Sequence, residues 1–167
     1  MKDTGAMAEH PITLRRYAST DAAATLRCFQ RAVRGTASRD YDPEQIESWA
    51  PREVDLDAWG NRRASVDTWV AERDGEPVGF TDVDDDGYID MMFVDPDAAR
   101  NGVASALVQH VVDIVNARGG AELSTNASIT ARPFFERHGF HVVTEQRVER
   151  RGSVLTNYRM RRVLSTG

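Results

Sequence analysis

The chain has 167 residues, 41% of them hydrophobic and 28% charged, with a formal net charge of −5 and a single cysteine. That length suits one domain. No apolar run approaches the roughly 18 residues of a membrane helix, and the acidic balance argues against a nucleic-acid partner and for a neutral or cationic one. Cys28 alone excludes an intrachain disulfide framework and fits a reducing cytoplasm. Lys2 is the only lysine, so nearly all positive charge is arginine.

The opening MKDTGAMAEH lacks the apolar core of a signal peptide and carries a second methionine at position 7. Residues 1–10 are therefore expected to be a flexible N-terminus or tag remnant, 11–163 a single domain, and 164–167 a flexible C-terminus. In chain order, ITLRRYA (12–18) reads as a strand, and Ser19, Thr20 and Asp21 offer caps for a helix to about Val33 with Ala22, Leu26, Phe29 and Val33 on its apolar stripe. Asp42-Pro43 opens a short helix that Pro51 ends. The stretch 34–63 otherwise reads as loop and short helix carrying Tyr41, Trp49 and Trp59.

Breaks at Asp74-Gly75 and Asp85-Asp86-Gly87 divide 68–94 into three antiparallel strands. A helix follows from about Gly102 to Arg118, with Ala104, Leu107, Val108, Val111, Ile114 and Val115 on one face and Gly119 as its stop. AELSTN (121–126) is a strand, Thr130–His138 a short helix, and FHVVTEQRV and VLTNYRMRRV are two closing strands. The order defines a mixed α+β domain with a largely antiparallel sheet and no internal repeat.

The junction AARNGVAS, 98–105, lacks the Ser, Thr or Asp that normally caps a helix. A helix that starts straight after a strand presents free N–H groups and an effective charge of about +0.5. Gly102 leaves the backbone open to a ligand, Arg100 adds charge and Ser105 a hydroxyl. The junction is either an anion site or a plain helix start.

Here the chain resembles the GNAT N-acetyltransferase superfamily, whose pyrophosphate loop reads Q/R-x-x-G-x-G/A. ARNGVA (99–104) matches its glycine and final alanine. The upstream FVDP, with Val94 and Pro96, is similar, and so is SITARPFFERHGF (128–140), which looks like N-x-x-A-x-x-x-Y-x-x-x-G-F. The element order matches from Ile12 to Val163. The resemblance implies the GNAT fold, a largely antiparallel mixed sheet of about seven strands with helices on both faces. It implies an acetyl-CoA-dependent N-acetyltransferase in the cytoplasm, acting by direct attack in a ternary complex on a small-molecule or peptide amine, with no metal and no membrane or nucleic-acid partner. Dimers are frequent among such proteins. The resemblance also puts the pyrophosphate on the main chain of Arg100, Asn101, Gly102, Val103, Ala104 and Ser105. The pantetheine arm would pair with the strand at Phe93 and Val94, with Asn126, Ser128 and Phe135 beside it.

Two positions depart from the family pattern. Ala99 stands where Gln or Arg is usual, with Arg100 next to it as a substitute contact. Phe135 stands where the family has the tyrosine that protonates the departing thiolate, and Ser128 where it has asparagine. A thiol of pKa near 8.5 leaves tolerably at neutral pH, and Tyr88 and Tyr158 are alternative donors. Ala99 and Phe135 also suit a second class, an acyl-CoA-binding sensor or partner module without turnover.

On the amine side, a lysine-type amine must give up about 3.4 pKa units at pH 7, whereas an α-amine gives up about 1. Alternation in YIDMMFV puts Tyr88, Asp90, Met92 and Val94 on one face and Ile89, Met91 and Phe93 on the other. Asp90 is then either a general base or a rim residue paired with an arginine. Asp82 and Asp84 to Asp86 either solvate a hairpin or draw in cationic amines. Tyr41, Trp49 and Trp59 lie where the family builds its acceptor wall, or else simply pack the core. Cys28 reads as a small buried residue, the four histidines lack metal-ligand spacing, and arginines 147, 150, 151, 159, 161 and 162 read as a solvated face before a nucleic-acid surface.

Overall fold

In the computed structural model, which describes residues 10–165, the chain runs β1 (Thr13–Arg16), α1 (Ala22–Gly35), α2 (Pro43–Trp49), α3 (Leu56–Ala64), β2 (Asp67–Arg73), β3 (Glu76–Val83), β4 (Tyr88–Ile89) and β5 (Met92–Val94). It continues α4 (Val103–Ala117), β6 (Glu122–Ser128), α5 (Arg132–Arg137), β7 (His141–Arg150) and β8 (Ser153–Val163). The mixed α+β architecture follows the expectation, with eight strands rather than about seven. They form two four-stranded sheets, ordered β1-β2-β3-β5 and β4-β6-β8-β7, antiparallel except that β4 joins β6 in parallel.

Local chemistry explains most boundaries. Asp74 and Gly75 both take positive φ, 54° and 78°, as a two-residue hairpin turn requires. Asp42 caps α2 through Gln45 N–H while the Gln45 side chain accepts from Asp42 N–H. Ser19–Asp21 form a 3₁₀ turn instead of capping α1; the Asp21 carboxylate accepts from Ala18 N–H and Arg15. Cys28, Phe29 and Val33 of α1 join Trp59, Val70 and Phe80 in a core on one face of the first sheet. Val108, Val111 and Val115 of α4 pack with Ile89, Leu123, Phe135 and Met160 on the opposite side.

Besides the uncapped start of α1, four features differ from the sequence reading. The third helix, α3, was not distinguished within the loop and short helix expected over 34–63: Asp55 caps it by accepting from Ala58 N–H at 3.1 Å, and at its mid-helix Gly60 a Cβ would come within 3.3 Å of Ala22 Cβ. Leu164, assigned to a flexible tail, is buried, and its N–H donates to Ala121 O at 2.9 Å. The expectation for residues 1–9, and for 166–167 of the tail, lies outside the described residues.

The remaining two differences share a cause. The strand expected across 88–94 is broken at Asp90-Met91, because Asp82 Oδ1 accepts both Asp90 N–H (2.8 Å) and Met91 N–H (3.1 Å). The break shifts the pleat by one residue: Ile89, Met92 and Val94 face the α4 side, whereas Met91 and Phe93 share the other side with Asp90. Asp82 therefore neither solvates a hairpin nor attracts an amine. Its Oδ2 accepts from Arg63 Nη1 of α3 at 3.0 Å, and each residue is only 1% exposed. Asp84 alone serves the turn, accepting from Asp86 N–H and Tyr88 N–H.

Removing one partner of a buried ion pair leaves the other charge uncompensated, at about 3–5 kcal/mol. Asp82→Ala should lower unfolding stability by about that amount, read as a fall in the urea midpoint, and should free the Asp90 and Met91 amides to exchange with solvent.

Candidate active site

The gap between the two sheets is the first element of the site. Asp82 N–H donates to Met91 O and Asp95 N–H to Val78 O, so the backbone of the odd-numbered residues 91, 93 and 95 faces β3. By alternation, the N–H and C=O groups of Met92 and Val94 point out of the sheet edge. Among the described residues β5 has no other neighbour, while β6 is paired with β4 only at Ser124 and Thr125. Two backbone edges thus diverge, that of β5 and that of β6 beyond Thr125. The structure offers the open edge at Met92 and Val94; Phe93 contributes its ring, not its amide.

This edge leads through Asp95 and Pro96 to the start of α4. Gly102 takes φ 82° and no side chain caps the helix. Arg100 is also left-handed, φ 65°, and nothing lies within 4 Å of where a Gly102 Cβ would stand. The main chain from Arg100 to Ser105 thus wraps the uncapped N–H groups in open space. Ser105 Oγ lies 3.1 Å from His138 Nε2 at the end of α5, and Asn101 O accepts from Arg73.

Where β5 and β6 splay, a cavity of about 310 Å³ opens toward α1, α2 and α3. Nine residues anticipated from the sequence line it: Tyr88, Asp90, Phe93, Asn126, Ser128, Phe135, Tyr41, Trp49 and Trp59. The three aromatic residues of the 34–63 stretch make its wall together with Phe29. Trp59 stacks on Phe29 at 5.2 Å and donates its indole N–H to Thr25 Oγ1; Trp49 sits edge-on to Tyr41 and Phe93. Tyr41 holds the wall to the second sheet, accepting from Ile129 N–H and donating to Thr156 O. Its phenol is thereby committed, and burial raises its pKa.

Asp90 is exposed toward this cavity and forms no ion pair among the described residues, which removes the rim-pairing alternative. Tyr88 stands two residues before it. Asn126 Nδ2 donates to Tyr88 Oη at 3.1 Å, while Asn126 Oδ1 accepts from Gln146 Nε2 at 3.0 Å. With its oxygen acceptance met by Asn126, the Tyr88 O–H is left to donate elsewhere. Burial, and then the nearby Asp90 charge, raise the Tyr88 pKa and keep the phenol protonated; the Asn126 bond acts in the opposite direction. Tyr158 does not line the cavity: the Arg132 guanidinium covers its ring at 4.5 Å. Phe135 is a core residue, 5% exposed, edge-on to Phe140 and Phe134.

Sequence reasoning missed Arg150 and Arg151, both assigned to a solvated face; both line the cavity, Arg151 donating to Ser48 O at 2.7 Å. The signal was present in β7, where alternate residues Gln146, Val148 and Arg150 reach the site. Asp82 and Arg63 carried no such signal, since their partners are distant in sequence.

Residues 37–162 match the acetyltransferase (GNAT) domain family. The chain is 45% identical over 150 residues, 90% of its own length and 95% of the relative's, to the uncharacterized N-acetyltransferase YafP of Escherichia coli K12. The solved structure of a GCN5-related N-acetyltransferase from Rhodopseudomonas palustris is 32% identical, with a TM-score of 0.88 over 91% of this chain and 95% of that one. PaiA N-acetyltransferase from Thermoplasma acidophilum, solved with coenzyme A, shares the fold at 16% identity, with a TM-score of 0.75 over 92% of this chain and 99% of that one. The chain belongs to the GNAT acetyltransferase family.

Cys28 lies under this site, its thiol 3.6 Å from Phe93 O. Burial pushes its pKa up to about 12, so it is no nucleophile. Ellman's reagent at pH 8 should leave the native protein unlabelled and react with one thiol per chain after denaturation.

Proposed function

We propose that the protein transfers an acetyl group from acetyl-CoA to the amine of a small molecule or peptide by direct attack in a ternary complex. The observation that carries this reading is the continuity of the open β5 edge with the uncapped start of α4, beside a cavity that holds a carboxylate and a phenol. The donor set fits the cosubstrate. The N–H groups from Arg100 to Ser105 suit a pyrophosphate, with the Arg100 side chain standing in for the loop residue that Ala99 lacks. Met92 and Val94 suit an amide-bearing arm. Asn126, Ser128 and Phe135 complete that side, although the Ser128 hydroxyl also accepts from Ala131 N–H.

Bound acetyl-CoA supplies a thioester carbonyl to the amine. Asp90 accepts the proton the amine must lose, directly or through water. Tyr88 donates its phenolic proton to the leaving sulfur, in the role that Phe135 is unable to fill. The Trp49 and Trp59 side exchanges water for apolar contact around the acceptor. Calorimetric titration with acetyl-CoA, followed by thiol release over an amine panel, tests the whole reading. Tight binding without release would favour an acyl-CoA-binding module, and no binding would remove both.

Residue tests separate the parts. Gly102→Asp and Gly102→Asn both tolerate a positive φ, so charge distinguishes them: the aspartate should weaken acetyl-CoA binding at least about tenfold more than the asparagine, roughly 1.4 kcal/mol. Asp90→Asn should lower kcat by about 10²–10⁴ with acetyl-CoA affinity unchanged. Tyr88→Phe should cost up to about 100-fold, the low end for a general acid, because a thiolate leaves readily. Since the Tyr88 pKa is raised, its proton is present through neutral pH and lost only above pH 10. The kcat profile should therefore fall on that alkaline side and lose this limb in Tyr88→Phe.

A further inference from the structure

We infer that the acceptor is an amine that also bears a carboxylate on an apolar scaffold, with Arg150 as the residue that reads the carboxylate; this rests on the cavity being the acceptor site. The cavity joins three chemistries. Asp90 stands at the break between β4 and β5, an aromatic wall of Phe29, Trp49 and Trp59 covers one side, and Arg150 closes the β7 end. A pocket for a plain alkyl amine needs the first two features and gains nothing from the third.

Among the described residues Arg150 and Arg159 both reach a hollow without a partner, but only Arg150 lines the cavity with the aromatic wall; Arg159 of β8 lines a separate hollow beside Asn126 and Gln146. Arg161 is paired with Glu122, Arg162 donates to His138 O, and Arg151 donates to Ser48 O. Arg147 sits on the opposite, outward face of β7. Among the described residues, no carboxylate lies within ion-pair distance of Arg150, and no hydrogen bond commits its guanidinium. Its charge nonetheless reaches the phenol of Tyr88 on the far side of the cavity, where it opposes the rise caused by burial.

A guanidinium offers a rigid fork of donors that matches a carboxylate in two parallel hydrogen bonds. Asp90 would orient the ammonium end of the same molecule and Arg150 the anionic end, so that only one orientation satisfies both charges. At about 310 Å³ the cavity stands at the small end of ligand pockets, which run about 300–1,000 Å³. Because Asn126, Ser128 and Phe135 of the same lining are given to the acetyl-CoA arm, the acceptor has only the part toward Trp49, Trp59 and Arg150, which suits one amino-acid-sized molecule.

The test uses L-phenylalanine and 2-phenylethylamine, which differ by the carboxylate and by the lower amine pKa it brings, so rates are compared per unprotonated amine. Thiol release should show kcat/KM for L-phenylalanine higher by about 10- to 100-fold, the range of a charge-assisted hydrogen bond. In Arg150→Gln this ratio should collapse to near one, whereas Arg147→Gln should preserve it. Binding is read independently of turnover by tryptophan fluorescence, since Trp49 and Trp59 line the cavity. With coenzyme A present, L-phenylalanine should give a saturable change that Arg150→Gln weakens at least tenfold. A ratio near one in the wild type, a ratio that survives Arg150→Gln, or the absence of a saturable change would each overturn the assignment. Acetyl-CoA binding measured by calorimetry on the same protein separates the failures: if it persists, only the carboxylate assignment falls, and if it is absent, the acetyl-transfer reading falls with it.

Discussion

One carboxylate, Asp82, sets the geometry of the site. It sits at the end of β3 with both oxygens occupied: one holds the amides of Asp90 and Met91, the other the guanidinium of Arg63. An extended strand would give those two amides to opposite edges. Taking both at a single oxygen forces the chain to gain a residue, and the gain turns one strand into β4 and β5. β4 stays with β6 while β5 stays with β3, so the sheet opens between them. The edge at Met92 and Val94, and the outward position of Asp90, are both consequences of this one acceptor. Burying a charge pair contributes little net stability against an apolar replacement; its use here is to fix a backbone shape that apolar contacts do not specify.

Arg63 extends that constraint to the aromatic wall. Its guanidinium lies 4.9 Å from the Trp59 ring centroid, and Trp59 in turn stacks on Phe29 and bonds Thr25 of α1. The break in the strand and the aromatic wall are therefore two ends of one buried chain of contacts through α3. A change in the wall that displaces Trp59 is felt at Arg63, and through Asp82 at the amides of Asp90 and Met91. This coupling explains why a short helix with a glycine in its middle is retained: Gly60 lets α3 approach α1 closely enough to deliver Arg63 to the interior.

Much of this was legible in the sequence where the determining chemistry is local. Asp74-Gly75 defines its hairpin, Asp42 with Gln45 defines the start of α2, and Gly119 stops α4 with φ 76°. The junction at 98–105 announced itself through a missing cap, and the aromatic residues of 34–63 through their position between patterned elements. The failures are non-local. Period-two reasoning gave Met92 and Val94 the face of Asp90 because it had no access to an acceptor eight residues upstream. The same blindness put Asp82 among the turn aspartates, although it precedes the turn by two residues and points inward. α3 was hidden because Gly60 weakens its helix signal, and the reason for Gly60 is a tertiary approach. Arg150 was lost among arginines that resemble it in spacing and differ in which of them the fold turns into the cavity.

The replacement of the family tyrosine by Phe135 is best understood with Tyr88 and Asn126. Phe135 is packed against Phe134 and Phe140 and also lines the cavity, where it offers apolar surface and no hydroxyl. Tyr88 reaches the cavity from the opposite strand, where Gln146 and Asn126 form a directed chain of donors ending on its oxygen. Asn126 spends its acceptor on Gln146 and its donor on Tyr88, which leaves the phenolic proton to point elsewhere. In the proposed reaction the acid belongs to a strand rather than a helix, and that strand is the one whose next residues but one are pinned by Asp82. The proposed proton donor Tyr88, the proposed proton acceptor Asp90 and the open backbone edge thus share a single anchor, and Phe135 is left to pack the core and line the cavity.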